Sequence, residues 1–458
     1  MQTKHLPMLP RKVYIVFLLI LLNSGALMAQ DSTLVDKPLR WNLAQCIAYA
    51  KKNNIQINSL RLSKLTSQQE YLLAKAGRLP NLSGSASQNF IHQNRKGNVS
   101  IVNGSSVVTG GSSGVTSSGQ YSLNSSVTVF NGGFINNNIQ QKNIAVESAN
   151  LDIIQQENDI TLQLTQAYLA VLLDKENIIS DTSVVNTSKA QVKLEQQRFN
   201  VGSVARKDLI QLQAQNATDQ YNLTTAINTE RADLLTLKQL LLLPTDVDFN
   251  IQKPDALAIN TSLTPLKQAE DTAMKNRPEI KNGQLGVDIA RYDVKKAKAG
   301  YLPILSAGGA LGSQYTGGGY FSQLNNNFYQ QFGITLSVPI FTRRVVKTQV
   351  EEAKIAVDQA QLNFSNTKII LSQSVERAYI NVQNAQSQYD AAQVQFNFNQ
   401  ESYRIANEQL KIGASNMVDF LLQKTLYVQA QQAVIQAKYN LLLTQKIYDF
   451  YRGIPVTL

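Results

Sequence analysis

Few side chains in this chain could do covalent or metal chemistry, and their spacing denies them partners. Past residue 29 the sequence holds one histidine, His92, and one cysteine, Cys46. A metal centre needs several converging His, Cys or carboxylate ligands, and a nucleophilic thiol needs a base beside it, so this pair supports neither. Cys46 falls in an apolar helical pattern and His92 in a loop-like region, and both read as structural. No Gly-x-x-x-x-Gly-Lys-Ser/Thr element is present, so any energy input must come from a partner. Acidic pairs such as Glu351 and Glu352 fall on exposed helix faces. Two carboxylates are more informative: Asp208 and Asp419 each stand six residues after a glycine, Gly202 or Gly413, that interrupts a helical pattern. An acid at a helix start is favoured by the helix dipole.

Asp208 and Asp419 correspond because the chain is written twice. Ala74 to Ser83 recurs as Ala297 to Ser306 with eight of ten residues identical at an offset of 223. Val127, Phe130, Tyr168, Gly202 and Asp208 return as Val338, Phe341, Tyr379, Gly413 and Asp419 at an offset of 211, so the register changes once, by 12 residues, between Leu82 and Tyr121. Units of some two hundred residues are too long for a solenoid, so they read as one duplicated architecture. The expected organisation is a signal peptide at 1–29, a first repeat at 30–243, a linker at 244–265 and a second repeat at 266–458. Function should sit where the copies meet or differ.

The signal peptide follows from Lys4, Arg11 and Lys12, an apolar run from Val13 to Leu22, and small residues up to Ala29, with a cut before Gln30. Cys46 lies too far beyond that cut to be lipidated. Removing the three cations lowers the formal charge from +11 to +8, and the remaining Lys and Arg are dispersed, which argues against nucleic-acid binding. No later stretch is apolar for the roughly 18 residues a membrane helix requires, so a membrane role would fall to strands.

Each copy reads as helix, strand pair, long helix, tight turn and helix. The first helix spans about Leu43 to Ala76 and stops at Gly77, with Pro80 beyond; Gly300 and Pro303 repeat the signal. Tyr121, Leu123, Val127 and Val129 alternate with small polar residues, as do Phe332, Ile334, Leu336, Val338 and Ile340. Strands of about nine residues with one apolar face suit a tilted membrane barrel, and a half-buried soluble sheet gives the same alternation. Segments 97–119 and 308–327 read as outward loops. Leu164, Val171, Ile178, Val185, Val192 and Phe199 recur every seven residues, as do Val375, Val382, Tyr389, Phe396, Tyr403 and Leu410, which predicts left-handed supercoiling. Phe420, Tyr427, Val434, Leu441 and Tyr448 continue this in the last helix, whereas Asn216 and Glu230 interrupt the matching stripe of Leu209, Leu223 and Leu237. A helix from Phe134 to Phe199 spans roughly 100 Å, matching the two shorter helices stacked end to end.

Together the leader, the duplicated strand pair and long coiled coil, and the Phe-x-Val-Gly and Leu-x-Ile-Gly turns resemble the TolC-like outer-membrane efflux proteins, or outer membrane factors. The resemblance implies an α+β chain whose homotrimer forms an outer-membrane β-barrel with four strands per protomer, continued by a long α-helical coiled-coil periplasmic tunnel. It implies an exit duct of a tripartite efflux or type I secretion system in a Gram-negative outer membrane, extending into the periplasm, with no enzymatic activity and no cofactor. Its partners would be outer-membrane lipid, a periplasmic adaptor (membrane fusion) protein, and an inner-membrane pump of RND or ABC type. A periplasmic gate maps onto Asp419, Leu410, Ser415 and Leu422, supported by Asp208. Leu422, Ser415 and Leu410 stand where the family can carry aspartate, arginine and tyrosine, so the implied constriction is more apolar. Adaptor docking maps onto Val201, Gly202, Ile412 and Gly413, although any left-handed helix turn also asks for glycine. The strand residues named above would face lipid. A secreted coiled-coil structural or adhesion protein is the alternative, and it would have no need of strands of membrane length.

Overall fold

The computed structural model describes residues 39–93, 98–102, 105–109, 114–254, 263–317 and 320–455, so the expected signal peptide and part of the linker lie outside them. The first half runs β1 (Leu39–Trp41), α1 (Leu43–Asn53), α2 (Ile55–Ala76), β2 (Asn81–Gln93), β3 (Asn98–Val102), β4 (Ser105–Thr109), β5 (Gly114–Asn131), α3 (Phe134–Asn200), α4 (Arg206–Leu240) and β6 (Phe249–Ile251). The second half runs α5 (Leu266–Asn276), α6 (Pro278–Ala299), β7 (Ile304–Thr316), α7 (Tyr320–Asn326), β8 (Tyr329–Ser337), α8 (Val345–Lys411) and α9 (Met417–Tyr451).

The helix expected from Leu43 to Ala76 is two helices. Asn54 adopts an extended conformation, and its Oδ1 accepts hydrogen bonds from the backbone N–H groups of Gln56 and Ile57 at 2.9 and 3.1 Å, capping a new helix start. The second half breaks at the equivalent Arg277 by different means. Pro278 follows at the first helical position, and a residue before proline is pushed out of the helical region.

Helix α3 is 67 residues long, about 100 Å, and serves as the spine of the first half. One stretch takes α2 through Arg61 to Glu157 at 3.1 Å and Lys142 to Glu70 at 2.6 Å; the other takes α4. Leu164, Val171 and Val185 of its heptad stripe are buried, and Ile178, Val192 and Phe199 half-buried. The interruptions in α4 are matched polar pairs. Asn216 Nδ2 donates to Ser188 Oγ at 2.8 Å, and Glu230 binds Lys175 at 2.8 Å. In the second half Tyr403 stacks on Tyr427 with centroids 5.1 Å apart, tying α8 to α9. The linker is not bare: β6 pairs in parallel with β1 beside a core containing Leu43, Cys46, Tyr168, Leu237 and Phe249.

Four antiparallel strands form one sheet in the order β2-β5-β7-β8. Strands β2 and β5 reach 13 and 18 residues, well beyond the nine expected, and β5 takes residues 114–119 out of the expected loop. Register puts Leu82, Ala86, Phe90, Tyr121, Leu123, Val127, Leu305, Leu311, Phe332, Ile334 and Leu336 on one face, with Ser83, Ser85, Asn124, Ser306 and Thr335 on the other. Strict alternation fails in two places. A bulge at Val129 brings Phe130, two residues beyond Thr128, opposite Leu305. Strand β8 ends at Ser337 because Pro339 has no N–H to donate, so Val338 and Ile340 lie beyond the ladder.

The loops differ between the halves. The first carries the β3-β4 hairpin, and the second carries α7, folded back on the sheet with Tyr320 edge-on to Tyr315 and its hydroxyl accepting from Ser117 Oγ at 3.2 Å.

Candidate functional site

The four long helices converge at the end remote from the sheet. There α3 and α8 each finish in the same hydrogen-bonded turn. Gly202 N–H donates to Phe199 O at 2.9 Å and Ser203 N–H to Arg198 O at 2.9 Å; Gly413 and Ala414 do the same to Leu410 and Gln409 at 3.2 and 2.8 Å. These are Schellman turns, which require a left-handed residue, and the glycine φ angles are +77° and +76°. A Cβ at either glycine would meet nothing within 4 Å, so backbone conformation alone demands glycine. Beside each glycine an apolar side chain stands out in solvent: Val201 and Ile412 are both 80% exposed.

The helix starts after the two turns differ. In α9 Asn416 is the cap: its Oδ1 accepts from Asp419 N–H at 2.9 Å, and its Nδ2 donates to Asp419 Oδ2 at 2.6 Å. Asp419 is thus held at the helix N-terminus, where the dipole favours its charge. It faces a groove of about 720 Å³ lined also by Ser402, Gln409, Ser415 and Gln423. Helix α4 has Ala205 at the cap and no side-chain bond there; Asp208 N–H donates to the Ala205 carbonyl at 3.1 Å. Its charge acts on the buried Glu195, whose carboxyl is pushed up by burial, lowered by Arg198 at 3.7 Å and raised by Asp208.

Of the residues mapped to a gate, Asp419 and Ser415 share the tip groove, and Leu422 is exposed. Leu410 instead packs, half-buried, with Leu212, Met417, Phe420, Val192 and Tyr403, joining all four helices in one apolar cluster. Below it Lys424 Nζ binds Asp219 Oδ2 at 2.8 Å with both side chains almost wholly buried, and Gln215 Nε2 donates to the other oxygen at 2.8 Å. Sequence reasoning missed this pair. Lys424 does break the apolar face between Phe420 and Tyr427, which signals a buried counter-charge, but nothing local identifies Asp219. Cys46 is fully buried, its thiol pushed up to about 12 by desolvation, and so is no nucleophile.

Two helices of roughly 100 Å thus run from a sheet with one apolar face to a shared tip. Over residues 47–241 and 270–446 the sequence matches the model of the outer membrane efflux protein family, and the chain belongs to that family. It is 27% identical to the outer membrane protein TolC of Escherichia coli over 327 residues, 67% of this chain and 63% of TolC. It is 24% identical to the toxin and drug export protein A of Aggregatibacter actinomycetemcomitans over 311 residues, 67% of this chain and 65% of that protein. The match to the outer membrane efflux protein BepC of Brucella suis is 21% over 408 residues, 88% of this chain and 83% of that protein. Among solved structures, the Campylobacter jejuni CmeC outer membrane channel superposes with a TM-score of 0.72 at 21% identity, over 90% of this chain and 85% of that one. The open Neisseria gonorrhoeae MtrE channel gives 0.71 at 16%, over 93% and 94%. The protein therefore belongs in the outer membrane, with its helices extending into the periplasm.

Proposed function

We propose that three copies of this chain assemble into a passive exit duct of a tripartite efflux or type I secretion system. The observation that carries the proposal is the open four-stranded sheet. Its strands contain no Asp, Glu, Lys or Arg, one face is apolar and solvent-exposed in the single chain, and among the described residues β2 and β8 are each left with an unpaired edge. Unpaired edges are untenable in lipid, and membrane barrels need at least eight strands, so closure demands further copies. Three copies would supply twelve strands. Arg78 stands three residues before β2, and Arg343 and Arg344 six and seven residues after β8, as suits an interface with lipid headgroups.

In this reading the apolar sheet face meets lipid and the Ser, Asn and Thr face lines a water-filled lumen. The tip turns, with Val201 and Ile412 exposed beside Gly202 and Gly413, dock a periplasmic adaptor that couples the duct to an inner-membrane pump of RND or ABC type. Asp419, Ser415 and Leu422 line the periplasmic constriction, Asp208 supports it, and Leu410 acts through packing. The chain is organised as signal peptide 1–29, repeats 30–243 and 266–458, and linker 244–265. The test is conductance of the purified protein in planar bilayers. Discrete, cation-preferring steps are expected, with the preference reduced by Asp419→Asn, which keeps an oxygen for the Asn416 side chain. Absence of conductance overturns the duct, and unchanged selectivity in the variant removes Asp419 from the constriction.

A further inference from the structure

Between α3, α4 and α9, midway along the helices, lies a groove of about 630 Å³ whose floor carries two carboxylates, Asp174 and Asp181. They are 7% and 6% exposed, and neither forms an ion pair among the described residues. Asp174 Oδ2 is buried and receives no hydrogen bond. Asp181 receives one long bond from Gln432 Nε2, at 3.4 Å. The walls are amides and hydroxyls, including Asn177, Asn222 and Gln436.

The charged groups around this floor do not neutralise it. From α4, Asp233 raises the pKa of Asp174 both through its charge and through a shared side-chain hydrogen bond, Glu230 adds its charge, and Glu230 already holds Lys175. Asp219 raises Asp181, while its own charge is taken by Lys424 of α9. The α9 wall itself presents Gln429, Gln432 and Gln436, none of them charged. A buried carboxylate without a counter-charge is costly, and packing does not require one here. At the positions 211 residues on, the second half carries Ala385 and Ala392 in place of Asp174 and Asp181, both buried in the same helical setting. One repeat has thus kept small apolar residues where the other has acids without counter-charges.

We propose that this groove is a binding site for a linear organic polycation, whose ammonium groups pair with Asp174 and Asp181. The two acids are seven residues apart on one helix, about 10 Å along its axis, too far for a single ammonium to reach both. A di- or polyamine with nitrogens at both ends matches that spacing. The amide carbonyls of the walls accept its remaining N–H groups. A divalent metal is a poorer match, because no group of three His, Cys, Asp or Glu among the described residues is placed to hold one.

The test is isothermal titration of spermidine into the detergent-purified full chain at pH 7.5. Saturable binding of one spermidine per chain is expected, at least tenfold weaker in Asp174→Asn and in Asp181→Asn, and weak for n-butylamine. Because burial and Asp233 hold Asp174 well above the usual carboxylate range, and burial raises Asp181 as well, protonation at pH 5.5 should weaken binding severalfold. If either Asn variant fails to fold, the double variant Asp174→Ala/Asp181→Ala, which copies the second repeat, serves in its place. No saturable binding, full binding by the variants, or equal competition by Mg²⁺ overturns the proposal.

Discussion

Replacing Asp219 by alanine leaves the Lys424 ammonium in place with its counter-charge gone. Lys424 is 2% exposed, so water cannot take over the carboxylate's role, and Gln215 Nε2 loses its acceptor as well. Breaking a buried ion pair from one side costs about 3–5 kcal/mol, most of it the penalty of the stranded charge. Unfolding entropy of about 2.1 cal/mol/K per residue gives roughly 1 kcal/mol/K for a chain of 458 residues, so the midpoint should fall by about 3–5 °C. Adding Lys424→Met removes the stranded charge and keeps its volume. The double variant should then lie within about 1 kcal/mol of the parent, as buried pairs replaced whole often do. Thermal melting by circular dichroism, at fixed protein and detergent concentrations because assembly makes the midpoint concentration-dependent, reads all four corners of the cycle. A single variant that melts with the parent, or a double variant worse than Asp219→Ala alone, would refute the reasoning.

Three other outcomes are expected. Leu336→Arg should cost about 2–4 kcal/mol near the bilayer midplane and Thr335→Arg, on the opposite face, far less; equal loss of assembled protein in outer-membrane fractions contradicts the assigned faces. Deleting residues 98–109, which hold the β3-β4 hairpin, should leave assembly intact, since closing a shorter loop changes its entropy only slightly; gel mobility of the assembled species checks it. Burial and Asp233 raise Asp174 from 3.8 to about 7, so the folded chain holds a proton that the unfolded chain releases first. Stability therefore falls as pH rises from about 4 to 7 and levels off above. Asp174→Asn should flatten that slope and gain on the order of a few kcal/mol at pH 8, and denaturant titrations at pH 5 and 8 measure it.

The sequence made the long-range plan legible because repetition and periodicity are written in the chain itself. Gly202 and Gly413 marked the turns through a conformational demand that no neighbour modifies, and the seven-residue stripe marked the tip-side halves of α3 and α8. What escaped depended on geometry between elements. Asn54 looked like one polar residue in a helix, and only its side-chain bonds to Gln56 and Ile57 turn it into a break. The bulge at Val129 is invisible to alternation, because an extra residue announces itself only against a partner strand. Pro339 did carry a local signal for the end of β8, which the apolar spacing of Val338 and Ile340 obscured. At the tip, the resemblance pointed to Asp419 and Ser415, which share one groove, whereas the packing of Leu410 among four helices is a contact that no local pattern announces. Asp174 and Asp181 stand three residues after Val171 and Ile178, on the seam side of the heptad, but which helices close over them is visible only in the fold.

The central claim is that three four-stranded sheets close one barrel above a shared helical conduit. Cryo-electron microscopy of the detergent-extracted full chain tests it most directly. The account predicts a threefold particle with a twelve-stranded ring and helices projecting about 100 Å to a common tip. A monomeric particle, or a ring closed by any other number of copies, would contradict it.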